Sequence, residues 1–224
     1  MTNPSRSVRA DEQTIDGAVT ITTLPGASAL TQEQVYRSGA YSLLARLLRS
    51  PPDSRVMQQV AGFAELESKR DSKRDEMILA MSMLGLAANT SSPERVDDEF
   101  HALFIGIGRG ELVPYASWYL TGYLMEKPLG RLRDDLSALG FQRQEGVMEP
   151  EDHVAALCEV MSALIDEASP IGTQSHFFER HMADWLESFF DDLSESGSAV
   201  FYKAVGRFGK AFSAMEKRYF SMPV

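Results

Sequence analysis

Val154-Ala155-Ala156-Leu157-Cys158-Glu159-Val160-Met161-Ser162-Ala163-Leu164-Ile165 is the stretch on which the fold class turns. A rotation of about 100° per residue gathers Val154, Leu157, Cys158, Met161, Leu164 and Ile165 into one arc, the pattern of a helix laid on an apolar core. The preceding residues, Glu149-Pro150-Glu151-Asp152-His153, read as its start. Pro150 in the first turn sacrifices no hydrogen bond, and Glu151 and Asp152 sit where the helix dipole favours negative charge. Glu149 then falls at the N-cap, a position glutamate does not favour. His153 lies at the edge of the arc, and Asp152 on the far side, toward solvent or another segment. A carboxylate that only faces a helix dipole contributes about 0.3–1 kcal/mol, so loss of Asp152 is expected to disturb folding little.

The same period recurs on both sides of this helix. Thr31 with Gln34 makes a capping box ahead of Val35, Tyr36, Leu43, Leu44, Leu47 and Leu48, a run stopped by Pro51-Pro52. Asp53 caps a second helix through Val56, Val60, Phe63 and Leu66, followed by the charged turn Glu67-Ser68-Lys69-Arg70-Asp71. A third carries Met77, Ile78, Met81, Leu84 and Ala88. Ser92-Pro93 opens a fourth with Val96, Phe100, Leu103, Phe104 and Ile107 on one face. Gly106-Ile107-Gly108-Arg109-Gly110 interrupts the series, and residues 106–116 read as a hinge. Ser117 caps the return to helix at Trp118, Tyr119 and Leu120.

Leu129, Leu132, Leu136 and Leu139 mark a helix closed by Gly140. Phe177, Phe178, His181, Trp185, Phe189 and Phe190 form one long aromatic helix, and Val200 to Tyr219 another, separated by Ser194-Glu195-Ser196-Gly197. No stretch alternates convincingly as a strand does. The fold class is therefore all-α, a single globular bundle of about eight to nine helices over residues 31–224. Residues 1–30 are polar and without period and read as a disordered tail.

The chain has 224 residues, 44% of them hydrophobic, enough for a sizeable core. Lys and Arg number 22 against 32 Asp and Glu, a formal net charge of −10. Such a field repels phosphate backbones, so nucleic acid is not an expected partner, whereas a basic peptide is attracted in a salt-sensitive way. Cys158 is the sole cysteine. It forms no intramolecular disulfide, and a thiol on the apolar stripe acts as a small hydrophobe suited to a reducing compartment. No run reaches the roughly 18 apolar residues of a membrane span, and residues 1–30 lack the build of a secretory signal. A cytoplasmic protein without stable membrane insertion is expected.

Candidate chemistry is sparse. The four histidines, His101, His153, His176 and His181, show no ligand spacing, and there is no Cys-x-x-Cys pair, so no metal site is expected. The glycine loop follows a helix rather than a strand and lacks the Gly-Lys-Ser/Thr ending of a phosphate loop. Asp152 and His153 are adjacent on a helix, pointing about 100° apart, and cannot orient each other as a triad does. No catalytic residue is expected and the chain does not read as an enzyme. A small-nucleotide hydrolase acting on GTP and a non-enzymatic helical dimer adaptor remain as alternatives. Recognition fits best: Tyr115, Trp118 and Tyr119 line a concave site edged by Glu149, Asp152 and His153, suited to a peptide with an apolar helical core and arginines.

Three blocks bear a resemblance. Glu99-Phe100-His101-Ala102-Leu103-Phe104 runs through the glycine loop into Pro114-Tyr115-Ala116-Ser117-Trp118-Tyr119-Leu120; Glu149-Pro150-Glu151-Asp152-His153 follows; Phe178, His181, Trp185, Phe189 and Phe201-Tyr202 complete it. Over about residues 33 to 220 the chain resembles the TorD/DmsD family of molybdenum-oxidoreductase maturation chaperones. The resemblance implies an all-helical cytoplasmic chaperone, not an enzyme. It would bind the twin-arginine signal peptide and apoprotein of a molybdoenzyme, delay export and assist cofactor insertion. The molybdopterin belongs to the client, and the chaperone itself carries no cofactor.

Carried over by position, Pro114, Ser117, Tyr119 and Leu120 match the hinge motif, and Glu149, Pro150, Asp152 and His153 the binding signature; with the aromatics Tyr115 and Trp118 these are the expected peptide-binding residues. The acidic pair is assigned to the signal arginines, and His153 to shaping or contacting the peptide. Weak GTP binding, raised for relatives, has no phosphate-loop pattern to support it. The chain has no Arg-Arg pair and does not look like an exported substrate. It is expected to be a monomer or a domain-exchanged dimer. Trimethylamine oxide, dimethyl sulfoxide, nitrate and formate enzymes are the clients such chaperones serve; a formate dehydrogenase-like client is preferred, and the choice stays open.

Overall fold

Thr31 and Gln34 form the capping box in full: the Thr31 hydroxyl accepts the Gln34 N–H at 3.2 Å, and the Thr31 N–H donates to Gln34 Oε1 at 2.9 Å. This starts α1 (Gln32–Arg49), which stops one residue before Pro51-Pro52, where the residue preceding a proline disfavours helix. The structure is a computed structural model; it describes residues 12–14, 19–22, 30–66, 76–106, 110–143 and 146–222. Most of the expected tail, the charged turn at 67–71 and the centre of the expected hinge at 107–109 lie outside the described residues.

Asp53 accepts the Val56 N–H at 2.8 Å and opens α2 (Ser54–Ala61). The helix expected to run on to Leu66 becomes a 3₁₀ turn at Gly62–Glu65. The turn is pressed by α3 (Glu76–Thr90), whose Gly85 lies so close that a Cβ there would stand 2.2 Å from the Ala64 nitrogen. Ser92 caps α4 (Pro93–Phe100), which widens into a π-helical turn at His101–Ile105 closed by Gly106 N–H on the His101 carbonyl. Then come α5 (Ala116–Thr121) and α6 (Lys127–Ala138), with Gly140 beyond it at φ +86°, a left-handed conformation glycine adopts without strain.

The last third holds α7 (Val154–Asp166), α8 (Ile171–His181), α9 (Leu186–Glu195) and α10 (Phe201–Ser221). The first long aromatic helix is thus two. The chain turns at Met182, and the Trp185 indole N–H donates to the His181 carbonyl at 2.7 Å, serving an acceptor that a continued helix would have used. The described residues therefore contain ten α-helices, and the all-α class stands. Three very short antiparallel strands accompany them: β1 (Glu12–Thr14), β2 (Val19–Thr22) and β3 (Gln142–Arg143), with Val19 opposite Arg143. Val19–Thr22 is β-branched throughout, a composition suited to a strand, so this part of the expected tail does take regular structure.

α7 is enclosed on all sides rather than along one arc: every residue from Val154 to Ile165 is buried, as expected of a helix that is apolar nearly all round. α1 and α8 pack on it, while α9 and α3 flank α10. Trp185, Phe177, Phe178, Phe189, Phe190, Phe201, Phe208 and Phe212 are core residues, and Cys158 is sealed among them, its thiol pKa pushed up by burial. One buried ion pair spans this core. Arg37 of α1 grips Glu216 of α10 with two bonds of 2.7 and 2.8 Å, and Gln174 and Tyr41 complete the cluster.

Candidate functional site

Residues 150–153 do not join α7. Tyr115 and His153 form an isolated antiparallel bridge: the Val154 N–H donates to the Pro114 carbonyl at 2.9 Å, and the Ala116 N–H to the Asp152 carbonyl at 3.0 Å. A backbone held extended by this pairing cannot be helical, so the helix start expected at Pro150 moves to Val154 and the N-cap from Glu149 to His153. His153 Nδ1 accepts the Ala155 N–H at 3.1 Å. That bond assigns the proton of the neutral ring to Nε2, which lies 3.6 Å from Glu149 Oε1. Burial, reinforced by the Arg49 charge, lowers the His153 pKa to about 3, so the ring is neutral near pH 7.

Asp152 faces another segment, not solvent. Its side chain is 1% exposed, and Oδ2 accepts the Ser117 N–H at 2.8 Å. This bond caps α5, whose own N-cap residue, Tyr115, makes no side-chain cap. Ser117, expected to cap this helix, lies inside it, and its hydroxyl and Asp152 Oδ1 are buried with no hydrogen-bond partner among the described residues. Asp152 and His153 therefore hold the segment 114–121 as a strap across the mouth of α7. Neither presents a polar face to an incoming peptide in this conformation, where the Asp152 carboxylate is committed to the Ser117 N–H.

Glu149 is the half-exposed member of the expected acidic pair, and it is engaged. Arg49 donates to its Oε2 at 2.7 Å, and the Tyr115 hydroxyl to its Oε1 at 3.2 Å. Arg49 also forks onto Glu159 at 3.2 and 2.6 Å. Burial raises the Glu159 pKa against the pull of that guanidinium. Glu151, absent from the expected site, holds Arg133 by bonds of 3.0 and 2.9 Å, with Arg143 3.6 Å from its other oxygen. Burial works to raise its pKa, but the Arg133 bond, its own backbone N–H and the two guanidinium charges outweigh that and hold it below the usual value.

The aromatic wall is only partly open. Tyr115 packs edge-on against the His153 ring at 5.0 Å. Tyr119 lies against Trp185 and Phe189 and donates its hydroxyl to Asp192 at 2.8 Å. Tyr115, Trp118, Tyr119 and Pro150 are half-buried, Pro114 is buried, and Leu120 is exposed. Beyond Leu120 the chain turns at Gly122 (φ +81°) and leaves Tyr123, Leu124 and Met125 in solvent, Met125 itself at φ +59°. Leu120, Tyr123, Leu124 and Met125 form an apolar run larger than a scatter of single side chains. No group of His, Cys, Asp or Glu able to hold a metal occurs among the described residues.

Sequence reasoning missed Arg49, Glu151, Arg133, Arg143 and the run 123–125. No local signal marks Glu151: it lies in a turn closed by the His153 N–H on the Pro150 carbonyl at 3.2 Å, and its partners Arg133 and Arg143 come from elsewhere in the chain.

Together these features define an all-helical protein whose distinctive surface is a strap, an apolar run and an ion-paired acidic edge. Residues 68–191 match the family model of the nitrate reductase delta subunit, more than half of the chain, and the chain belongs to this family, the TorD family. A chaperone protein TorD of Vibrio cholerae serotype O1 (strain ATCC 39541) is 31% identical over 130 residues, 53% of this chain and 59% of the relative. The chain thus spans 59% of the length of that relative. A chaperone protein TorD of Vibrio vulnificus (strain YJ016) is 24% identical over 205 residues, 86% of this chain and 88% of the relative. A solved structure from Archaeoglobus fulgidus, described as a redox enzyme maturation protein, shares the fold at a TM-score of 0.52 and 18% identity, over 87% of this chain and 99% of that one.

Proposed function

We propose that the chain is a non-enzymatic maturation chaperone for a redox enzyme. It binds the twin-arginine signal peptide and the apoprotein of a molybdenum oxidoreductase, so that cofactor insertion precedes export. The observation that carries this reading is the continuity of the exposed run Leu120, Tyr123, Leu124 and Met125 with the acidic edge at 149–151. The strap joins them: Tyr115 bonds Glu149, and one short helix, about 9 Å long, leads from there to Leu120. A signal peptide has the matching order of parts, a pair of arginines followed by an apolar segment. The net charge of −10 draws such a peptide in. No helix among the described residues is long and apolar enough to cross a membrane. The molybdopterin is the client's, and this chain works without a cofactor of its own.

Fluorescence titration with a twin-arginine peptide tests the reading. Binding weakens as salt rises, and Tyr123→Ser with Met125→Ser weakens it roughly 5- to 30-fold through lost apolar burial. Equal affinity for a Lys-Lys or scrambled peptide refutes it.

A further inference from the structure

The acidic signature expected to receive arginines does receive them, from this chain itself. Of its three carboxylates, Asp152 is sealed under the strap and Glu149 has both oxygens engaged, one by Arg49 and one by Tyr115. Glu151 differs. It is 17% exposed, and its partners Arg133 and Arg143 are 50% and 37% exposed, against 20% for Arg49. Arg133 sets two nitrogens on one oxygen of Glu151, and Arg143 stands 3.6 Å from the other, beyond hydrogen-bond reach. Next to this carboxylate lies a cavity of about 100 Å³ with Leu136, Phe141 and Val160 in its lining, room for the aliphatic stem or terminal atoms of one more side chain.

We infer that Glu151 is the seat of a client arginine and that Arg133 and Arg143 keep it occupied until the peptide arrives, so that binding exchanges an internal guanidinium for an external one. This rests on the twin-arginine reading above. Exchange is feasible because the resident arginines are half-exposed, where an ion pair is worth little, and because neither guanidinium is stranded: Arg133 is solvated on leaving Glu151, and Arg143 keeps its bonds to the Val147 and Glu149 carbonyls, both 3.0 Å. Selectivity for arginine over lysine follows from the seat, since a carboxylate matches a planar fork of donors better than a point charge. It also answers why a site for a doubly cationic ligand lies beside three arginines of its own. Arg133 and Arg143 are competitors that set a threshold, so a single stray cation gains nothing by entering.

The test is titration of the same twin-arginine peptide into the full chain and its variants at fixed ionic strength. Arg133→Gln with Arg143→Gln removes the competitors and tightens binding roughly three- to tenfold. Glu151→Gln weakens binding and, added to the double variant, abolishes the gain. Arg55→Gln with Lys203→Gln makes the same charge change at exposed positions that do not line the cavity and gives a smaller gain. Unchanged or weaker binding by the Arg133, Arg143 variant, or a gain matched by the Arg55, Lys203 control, overturns the exchange while leaving the chaperone reading intact. If neither the wild type nor any variant binds the peptide, both fall.

Discussion

Replacing Asp152 probes the strap at the side-chain bond that caps α5. Wild-type Oδ2 accepts the Ser117 N–H at 2.8 Å from a side chain 1% exposed. A hydrogen bond to a charged group in such a place contributes about 1.5–3 kcal/mol, and deletion of an N-cap costs about 0.5–2. These describe one bond and are not summed. Against them stands Oδ1, a buried acceptor with no partner among the described residues, whose removal returns about 1 kcal/mol. Asp152→Ala is therefore expected to lose about 1 kcal/mol, and Asp152→Asn about half that, since an amide oxygen still accepts the Ser117 N–H and its NH₂ replaces the orphaned oxygen. Both exceed the lower end of what a carboxylate merely facing a helix dipole supplies. With a urea slope of about 2 kcal/mol/M the Ala variant unfolds at a midpoint lower by about 0.5 M. Amide exchange gives the local readout: protection is lost at Ser117 and kept at Ala116, whose N–H donates to the Asp152 main chain. A midpoint within about 0.2 M of wild type, or unchanged Ser117 protection, refutes the anchor.

His153 makes stability fall in acid. Its folded-state pKa of about 3 lies below the ordinary 6.5, so the unfolded chain binds the extra proton, and stability complete above pH 6.5 declines toward pH 3 by at most about 1.4 kcal/mol per unit. Glu159, with a raised pKa, acts in the opposite sense from pH 4.5 upward. His153→Asn keeps an N-cap acceptor but does not titrate, and urea unfolding at pH 7.5, 6.0 and 5.0 should show a flatter dependence than wild type; parallel curves refute the assignment. The Arg37–Glu216 pair behaves as a buried unit. Arg37→Met alone costs about 3–5 kcal/mol by stranding Glu216, whereas adding Glu216→Leu restores most of that. Strict additivity in the double-mutant cycle contradicts it.

Helices whose ends are written locally were legible in the sequence. The Thr31–Gln34 box, Asp53, Ser92-Pro93 and Gly140 each act through bonds or backbone angles within a few residues, and each boundary falls where they put it. What period cannot register is a backbone committed to a distant partner. Asp152 and His153 follow a proline and precede a continuous apolar run, so every local rule extends the helix through them. Their main chain is paired instead with residues 114–116. The same blindness merged α8 with α9, because the aromatic spacing continues through Met182 while the Trp185 indole ends the first helix from outside its own hydrogen-bond ladder.

Two of the helices that start without a cap from their own N-cap residue receive it from another part of the chain. α5 begins after Tyr115 and takes its acceptor from Asp152. α10 begins after Val200, and the Glu99 carboxylate accepts the N–H groups of Val200, Phe201 and Tyr202 at 2.6, 3.0 and 2.6 Å. Both carboxylates that accept these N–H groups sit in the blocks that carry the family resemblance. An anion serving buried N–H groups is held by geometry that a ligand could not offer, so neither carboxylate can be released to a peptide without uncapping a helix. Glu99 and Asp152 thus define where the strap and α10 lie. Under the proposed function, discrimination between clients falls to groups that can change partners without unfolding anything: Glu151 with its two half-exposed arginines, and the apolar run from Leu120 to Met125. If two such chaperones prefer different clients, exchanging these residues should transfer the preference, while exchanging Asp152 or Glu99 should change only stability.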